Sequence, residues 1–181
     1  MNFYSQDIIN QMVDESTDEE LCEKMQSYYD NLSELLGKYS YRDISPTYSR
    51  NLLSDLRNKV VFRSMGSNFD MLNCPSMMIY TTVFNAEKKE NIIYIFFICT
   101  KKKFMNMGYA KGMLDDFIDY IKTKYNQYAN RIVLSSLYSS VTFYESYGFD
   151  WCKETILEHK RILQFEKYEK DAFYVLMEMK L

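Results

Sequence analysis

The feature that most constrains this chain is an apolar run, Ile92 to Cys99, which is soon followed by the pattern of an amphipathic helix. Eight apolar residues are far too few to span a bilayer. A continuous run of this length is typical of a strand that is buried on both faces. The helix pattern starts at about Gly108, and its apolar positions are Ala110, Met113, Leu114, Phe117, Ile118 and Ile121. A buried strand that leads into such a helix predicts a mixed α/β layer fold.

The remaining segments add strands and helices to this pair. Helices are predicted over 17–37, 45–58 and 139–148, from capping residues and from apolar residues at helical spacing. Strands are predicted at 60–62, 77–84, 92–100, 131–136 and 172–181, with a polar turn over 85–91 and a further C-terminal strand that carries His159. We expect one domain over 1–181, in which 1–59 is helical and acidic and 60–181 forms the sheet core.

Composition and charge exclude several classes of protein. An apolar fraction of 47% with only five Gly and two Pro indicates a packed domain without linkers. Residues 1–30 hold eight acidic side chains and one lysine, a net charge of −7, which leaves +4 for the rest of a chain whose total is −3. This balance argues against nucleic-acid binding and suits an anionic ligand on the body of the chain.

The four cysteines and the N-terminus bear on the compartment. Cys22, Cys74, Cys99 and Cys152 are scattered without a CxxC pair or a nearby His cluster, so we expect reduced thiols in the cytoplasm and no metal. The first residues lack the basic and apolar runs of a signal peptide. No membrane partner is therefore expected.

The segment with the clearest chemistry runs from Thr100 to Ala110 and reads TKKKFMNMGYA. Gly108 lets a ligand approach the backbone closely, and Ala110 keeps the start of the helix uncrowded. The first free amides of a helix and its partial positive charge bind phosphate oxygens. Three consecutive lysines, Lys101 to Lys103, add attraction for a polyanion, although such a run also forms ordinary solvated turns.

Two motifs in this half of the chain resemble those of the GNAT acetyltransferases. The loop is similar to the pyrophosphate motif Q/R-x-x-G-x-G/A, with Met105 at the Gln/Arg position, Gly108 at the glycine and Ala110 at the last small residue. Residues 140–149, SVTFYESYGF, resemble the later segment A-I-x-F-Y-E-K-L-G-F, and 173–181 resemble the closing strand. The resemblance covers about 92–181.

The resemblance implies a single-domain GNAT-like α/β fold, with a mixed, mostly antiparallel sheet flanked by helices and with acetyl-CoA as cosubstrate. It implies that the strand backbone at Phe97, Ile98, Cys99 and Thr100 holds the pantetheine arm and stabilises the oxyanion. It implies that the pyrophosphate is bound by the loop residues Met105, Asn106, Met107, Gly108, Tyr109 and Ala110.

Catalytic roles also follow from the resemblance. Tyr144 matches the tyrosine that protonates the departing thiolate, and its alternative role is packing of the helix. The general base is open: His159 is a weak candidate, and Glu158, Tyr94 and a solvent relay are no better supported. Cys99 is expected to stay protonated and inert, because it lies in a buried strand.

The leading hypothesis is an N-acetyltransferase that acts on a primary amine: a small amine, a peptide N-terminus or a lysine. A second hypothesis is an inactive GNAT-fold module that binds CoA or a protein partner, because Met105 replaces a polar residue and the strand 92–100 carries no acid. A nucleic-acid module is the third. The oligomeric state is open, and a homodimer is one option.

Overall fold

A computed structural model describes residues 2–5, 48, 51–52, 55, 57–65, 74–125, 128–154, 159–165 and 174–181. The strands are β1 (Asn2–Ser5), β2 (Lys59–Ser64), β3 (Ser76–Asn85), β4 (Glu90–Thr100), β5 (Ala129–Leu137), β6 (Asp150–Trp151) and β7 (Tyr174–Lys180). The helices are α1 (Tyr109–Tyr125), α2 (Val141–Tyr147) and the short α3 (Lys160–Leu163), with 3-10 turns at Lys102–Phe104 and Tyr138–Ser140.

The seven strands form one sheet in the order β1-β2-β3-β4-β5-β7-β6. β4 and β5 run parallel, whereas the pairs β1–β2, β5–β7 and β6–β7 are antiparallel. The parallel pair is joined by α1, as parallel neighbours require a crossover connection. The fold is therefore a mixed α/β layer with a mostly antiparallel sheet and flanking helices, which confirms the predicted fold class.

The chain divides into two compact units, Met1–Ile79 with Ile98–Asp116, and Tyr80–Phe97 with Phe117–Leu181. β3, β4 and α1 each pass from one unit into the other. In the first unit, β1 pairs with β2 from Asn2↔Ser64 to Ser5↔Val61. In the second unit, β5 pairs with β7 from Arg131↔Lys180 to Leu137↔Tyr174. The expectation of one domain over 1–181 stays a prediction.

Most of the predicted elements are present at the predicted positions. The strands expected at 60–62, 77–84, 92–100, 131–136 and 172–181 correspond to β2, β3, β4, β5 and β7, and the helices expected near 108 and 139 correspond to α1 and α2. The helix predicted over 17–37 lies outside the described residues. Of the one predicted over 45–58, residues 48, 51 and 52 are helical, and most of the rest lie outside the described part.

Two predictions of local structure need correction. The segment 1–59 is predicted to be helical, but its residues 2–5 form the strand β1, because they pair with β2 far along the sequence. The strand expected at His159 is wrong, since His159 caps the helix α3.

Helix α1 buries four of the six residues in the apolar stripe that its sequence predicts, and Ala110 and Ile118 are half-buried. Met113, Leu114, Phe117 and Ile121 have no exposed surface. Within the second unit, the Phe117 ring packs edge to face on Tyr80, with 4.8 Å between centroids. Burial of one such side chain contributes about 1.5–3 kcal/mol. None of the helices in the described part of the chain is long and apolar enough to cross a membrane.

The β3–β4 connection is an Asn-stabilised turn. The Asn85 Oδ1 accepts hydrogen bonds from the amides of Glu87 and Lys88 at 3.1 and 3.3 Å. An asparagine side chain that caps the following amides in this way replaces the bonds that the strand no longer provides. Lys89 then takes a left-handed φ of 53°, which turns the chain into β4.

A buried arginine connects three acidic side chains in the second unit. The Arg131 guanidinium, 5% exposed, lies 2.6 Å from Glu90, 2.5 Å from Glu154 and in hydrogen-bonding contact with Glu178. Lys88 contacts Glu154 as well. These bonds raise the pKa of Arg131 against the opposing effect of burial, which is the largest single influence. The cluster joins the starts of β4 and β5 to β7 and to the segment after β6.

Candidate functional site

The loop from Met105 to Ala110 has the backbone shape of an anion cradle. The 3-10 turn Lys102–Phe104 ends at Met105, which is extended with φ −65° and ψ 151°. Asn106 and Gly108 then both adopt left-handed φ values, 61° and 80°. Successive amides in αR–αL or turn conformations can form anion-binding nests, and residues 105–108 adopt a turn conformation. Helix α1 begins directly afterwards at Tyr109.

The amides of this loop after Met105 form no backbone hydrogen bonds with other described residues. Within the part of the chain that the structure describes, no backbone hydrogen bond has the amide of Asn106, Met107, Gly108, Tyr109 or Ala110 as its donor. The first backbone bond of the helix runs from the Gly112 amide to the Gly108 carbonyl, at 2.9 Å. Unbonded amides at the start of a 17-residue helix carry a partial positive charge that suits phosphate oxygens.

The surface around these amides is open and basic. A Cβ built on Gly108 would have no heavy atom within 4 Å, and residues 105–108 are all exposed. Lys102 and Lys103 are exposed in the preceding turn, where the Lys103 ammonium lies 4.8 Å from the centre of the Phe104 ring. The loop thus offers space, amide donors and cationic side chains together, so its residues fit a bound diphosphate.

The hydrogen-bonded ladder between β4 and β5 ends at Ile95, before the end of β4. Their parallel pairing runs from Asn91↔Ala129 to Ile95↔Leu134. β5 continues to Leu137 in its ladder with β7, yet no later β4–β5 pair is formed among the described residues. Among the described residues, the backbone of β4 beyond Ile95 therefore has no strand partner in β5.

The predicted pantetheine-binding residues lie at this end of β4. Phe97 and Ile98 are half-buried, and Cys99 is buried. Burial raises the pKa of the Cys99 thiol to about 12, so the thiol stays protonated at neutral pH, as the sequence predicted. The Thr100 hydroxyl is buried, and no described residue forms a hydrogen bond with it.

Tyr144 lies in the middle of α2, which ends in a Schellman motif. The Gly148 amide donates to the Glu145 carbonyl at 3.0 Å, and the Phe149 amide donates to the Tyr144 carbonyl at 2.9 Å. Gly148 has φ 111°, and Phe149 is buried. The Tyr144 side chain is half-buried and packs edge to face on both Phe143 and Phe149. The Phe-Tyr-Glu and Gly-Phe pieces of the sequence motif thus form one helix and its cap.

His159 occupies a capping position. Its Nδ1 accepts a hydrogen bond from the Arg161 amide at 3.3 Å, so this nitrogen carries no proton. Its Nε2 lies 3.3 Å from the Phe84 carbonyl, which makes Nε2 the donor. Both ring nitrogens are engaged by protein groups. This arrangement suits a structural role better than that of a general base.

The predicted site residues fall into both compact units. Ile98 to Thr100 and the loop Met105–Ala110 belong to the first unit, where the former lie at the end of β4 and the latter leads into α1. Phe97, Tyr144 and His159 belong to the second unit. Among the described residues, no group of three or more His, Cys, Asp and Glu side chains is arranged to hold a metal ion.

One feature beside the loop was missed by the sequence reasoning. The Arg63 side chain from β2 lies against Gly112, one turn beyond Gly108, and its Nε is 2.9 Å from the Asp116 carboxylate. The only sequence signal was a glycine inside a helix, which often marks a close approach by another group.

Comparison with solved structures identifies the fold. The sequence matches no protein-family model and no curated protein. The structure is similar to a chain of the NatC complex bound to Gag peptide and CoA, with TM-score 0.59, 11% identity and coverage of 100% of this chain and 99% of that one. It is similar to Arabidopsis thaliana NAA60 in complex with acetyl-CoA, with TM-score 0.59, 10% identity and coverage of 86% and 94%. It is also similar to Tetrahymena GCN5, with TM-score 0.57, 12% identity and coverage of 99% and 96%. The chain has the fold of the GNAT acetyltransferases.

Proposed function

We propose that this protein is an N-acetyltransferase that moves the acetyl group of acetyl-CoA to a primary amine. The observation that carries the proposal is the loop Met105–Ala110, in which five consecutive amides from Asn106 to Ala110 have no backbone acceptor among the described residues and lie beside an open glycine. These amides would bind the pyrophosphate of the cosubstrate, and Lys102 and Lys103 would attract its remaining charge. The position of this loop between β4 and the helix α1 in a GNAT fold supports the same assignment.

The unpaired edge of β4 supports a second part of the proposal. Backbone groups from Phe97 to Thr100 would hydrogen-bond the amide-containing pantetheine arm, as a neighbouring strand would. An amide of this segment would also donate to the thioester oxygen as negative charge develops on it. The protonated Cys99 thiol does not compete as a nucleophile.

The chemistry requires an attack, a bond cleavage and two proton transfers. The neutral amine nitrogen forms a bond to the acetyl carbon, and the carbon–sulfur bond breaks with its electron pair going to sulfur. Tyr144 is the candidate donor of a proton to the thiolate, since the pKa of a phenol, about 10, suits donation to a thiol of similar basicity. The attacking nitrogen loses one proton to solvent, and His159 is the weakest candidate to receive it, because its Nδ1 lone pair is already used.

Peptides are the first acceptors to test. The similar NatC structure contains a peptide with CoA, and a second Arabidopsis thaliana NAA60 structure contains a bisubstrate analogue. At 10–11% identity these likenesses show the fold alone, so they serve only to set the order of a screen. They rank peptide N-termini ahead of polyamines and amino sugars in a screen, with lysine side chains as the next class.

The test combines binding with turnover. Excess acetyl-CoA at about 100-fold above its Kd stabilises a protein by about 2.7 kcal/mol. We expect this to raise the Tm by about 5–10 °C, at roughly 2–4 °C per kcal/mol for a chain of this size. Release of CoA thiol in the presence of an acceptor, with an acetylated product seen by mass spectrometry, would then establish transfer. An unchanged Tm at millimolar acetyl-CoA would refute the proposal.

A second candidate function is a GNAT-fold module that binds CoA or a protein partner without catalysis. It is favoured by Met105, a half-exposed apolar side chain where the motif has a polar one, and by the absence of acidic side chains in Ile92–Thr100. A rise in Tm with acetyl-CoA but no transfer to any acceptor class would select this function.

A further inference from the structure

The first unit contains a charged contact that the proposed chemistry does not use. Arg63 lies on β2, and its side chain is only 16% exposed. A Cβ built on Gly112 would lie 2.6 Å from Nη2 of Arg63 and closer still to Nη1 and Cζ. The guanidinium therefore occupies the space that any larger residue at position 112 would need.

An ion pair holds the guanidinium in this position. The Arg63 Nε lies 2.9 Å from Oδ2 of Asp116, whose side chain is 34% exposed. It is a charge contact and not an aligned hydrogen bond, since no described residue accepts a hydrogen bond from Nε. Gly112 and Asp116 are separated by one helical turn, so Arg63 contacts the same face of α1 over consecutive turns.

The contact between Arg63 and Gly112 is linked to the anion-binding loop through a single backbone hydrogen bond. The Gly112 amide donates to the Gly108 carbonyl at 2.9 Å, and Gly108 is the left-handed residue of the loop. A shift of Gly112 would therefore move Gly108 and the free amides beside it. We propose that Arg63 is a positioning residue that sets the orientation of the cofactor-binding amides through Gly112 and Asp116.

This inference rests on the proposed function and assigns a residue to the same site. It predicts that a variant without the Asp116 charge binds acetyl-CoA more weakly, whereas the loss of a negative charge alone would make binding stronger. Removal of a negative charge near an anion site strengthens binding by Coulomb attraction alone. Removal of the Asp116 charge releases Arg63 from its position, and the displaced amides then weaken binding.

Two neighbouring variants separate these effects. Asp116→Asn and Asp115→Asn each remove one acidic charge from the same part of α1, but Asp115 faces Lys111 at 3.2 Å in an exposed pair. By titration calorimetry with acetyl-CoA, we expect Asp116→Asn to raise the Kd about 10-fold, within the range that small misplacements of a site produce. We expect Asp115→Asn to leave the Kd unchanged or lower.

Steady-state kinetics adds a second measurement. A purely structural role of Arg63 and Asp116 would not change the KM for acetyl-CoA selectively. In Asp116→Asn and Arg63→Met, the KM for acetyl-CoA should rise while kcat at saturating acetyl-CoA and the acceptor KM stay at their wild-type values. A matched fall in kcat with an unchanged KM for acetyl-CoA would overturn the inference.

The contact itself is tested by a double-mutant cycle on Tm. Gly112→Ala should lower the Tm when Arg63 is present, because the methyl group and the guanidinium compete for one space. In the Arg63→Met background the same change should lower the Tm less or raise it, since alanine favours a helix over glycine. If Gly112→Ala changes the Tm equally in the two backgrounds, the methyl group and the guanidinium do not compete for one space.

The outcomes for the two proposals can be told apart. A wild-type protein that does not bind acetyl-CoA refutes the proposed function and this inference with it. A wild-type protein that binds, with Asp116→Asn and Asp115→Asn equally unaffected, refutes the inference alone.

Discussion

The ring of Phe149 packs edge to face on the ring of Tyr144, with 5.6 Å between centroids, and the Phe149 amide donates a hydrogen bond to the Tyr144 carbonyl at 2.9 Å. One residue pair thus combines the backbone bond and the apolar contact of a Schellman motif. The left-handed Gly148 between them makes this geometry accessible. The helix end that carries Tyr144 is therefore held both by its main chain and by its side chains.

Replacement of Gly148 should reduce stability through the backbone alone. A Cβ at this position would have no heavy atom within 4 Å, so the φ of 111° is the only penalty. We expect Gly148→Ala to cost about 1–2 kcal/mol, and thermal unfolding to show a Tm lower by about 2–8 °C. Gly148→Asn, which tolerates left-handed backbone better, should lose less. Ala and Asn variants as stable as the wild type would contradict this account.

Tyr144→Phe tests the proposed proton donor. The phenylalanine ring keeps the contacts with Phe143 and Phe149, so the helix end should remain folded. Loss of a general acid lowers kcat by about 100-fold or more, and we expect that fall in steady-state assays without a change in the KM for acetyl-CoA. Tyr147→Phe, one turn away on the same helix, is the matched control and should be fully active. If the two variants have the same kcat, Tyr144 is not the acid.

Gly108→Glu tests the anion-binding loop. The glutamate would place a negative charge beside the free amides, and at about 4 Å from a phosphate such a pair repels by roughly 4 kcal/mol at an effective dielectric constant of 20. We expect calorimetry to show acetyl-CoA affinity reduced by more than about 100-fold. Gly108→Asn adds a neutral side chain that tolerates the left-handed φ of 80° and should bind more tightly than the glutamate variant. Undiminished affinity in Gly108→Glu would exclude this loop as the phosphate site.

The carboxylate of Glu154 predicts a defined pH dependence of stability. Hydrogen bonds from Arg131 and then Lys88 hold the Glu154 pKa below its usual value of 4.5. The folded pKa lies below the unfolded one, so the stabilisation is present above pH 4.5 and is lost as the pH falls through the folded value. We expect Glu154→Gln to lower the Tm by about 2–4 °C near neutral pH, as for a loss of about 1 kcal/mol.

The difference between Glu154→Gln and the wild type should shrink as the pH falls below about 4.5. Glu87→Gln in the β3–β4 turn is the control, because Glu87 is exposed and forms no ion pair with any described residue. A Glu154→Gln deficit that stays constant from neutral to acid pH would count against the proposed linkage.

The sequence predicted the elements whose signals are local. The periodic apolar residues of α1 and the unbroken run of β4 define their own structures, and Gly148 marks the end of α2. The sequence also predicted a connection with a glycine between β4 and α1, and the structure has this connection, which includes the 3-10 turn Lys102–Phe104.

The sequence could not predict structure that depends on distant partners. β1 forms through pairing with Val61–Ser64, and nothing in the sequence of residues 2–5 indicates that partner. The three glutamates around Arg131 come from separate strands and a connecting segment, so their convergence is a property of the sheet. His159 was assigned to a strand because its cap interactions, with Arg161 and with the Phe84 carbonyl, leave no periodic pattern.

The Arg63 guanidinium occupies the space beside Gly112, and this constrains how positions 63 and 112 can differ between related proteins. As long as the arginine at 63 keeps this conformation, a Cβ at 112 would meet its guanidinium, so a larger residue there requires the arginine side chain to move. Once the arginine is lost, alanine at 112 becomes favourable for the helix. We therefore expect position 63 to change before position 112, and we expect homologues with arginine at 63 to retain glycine at 112.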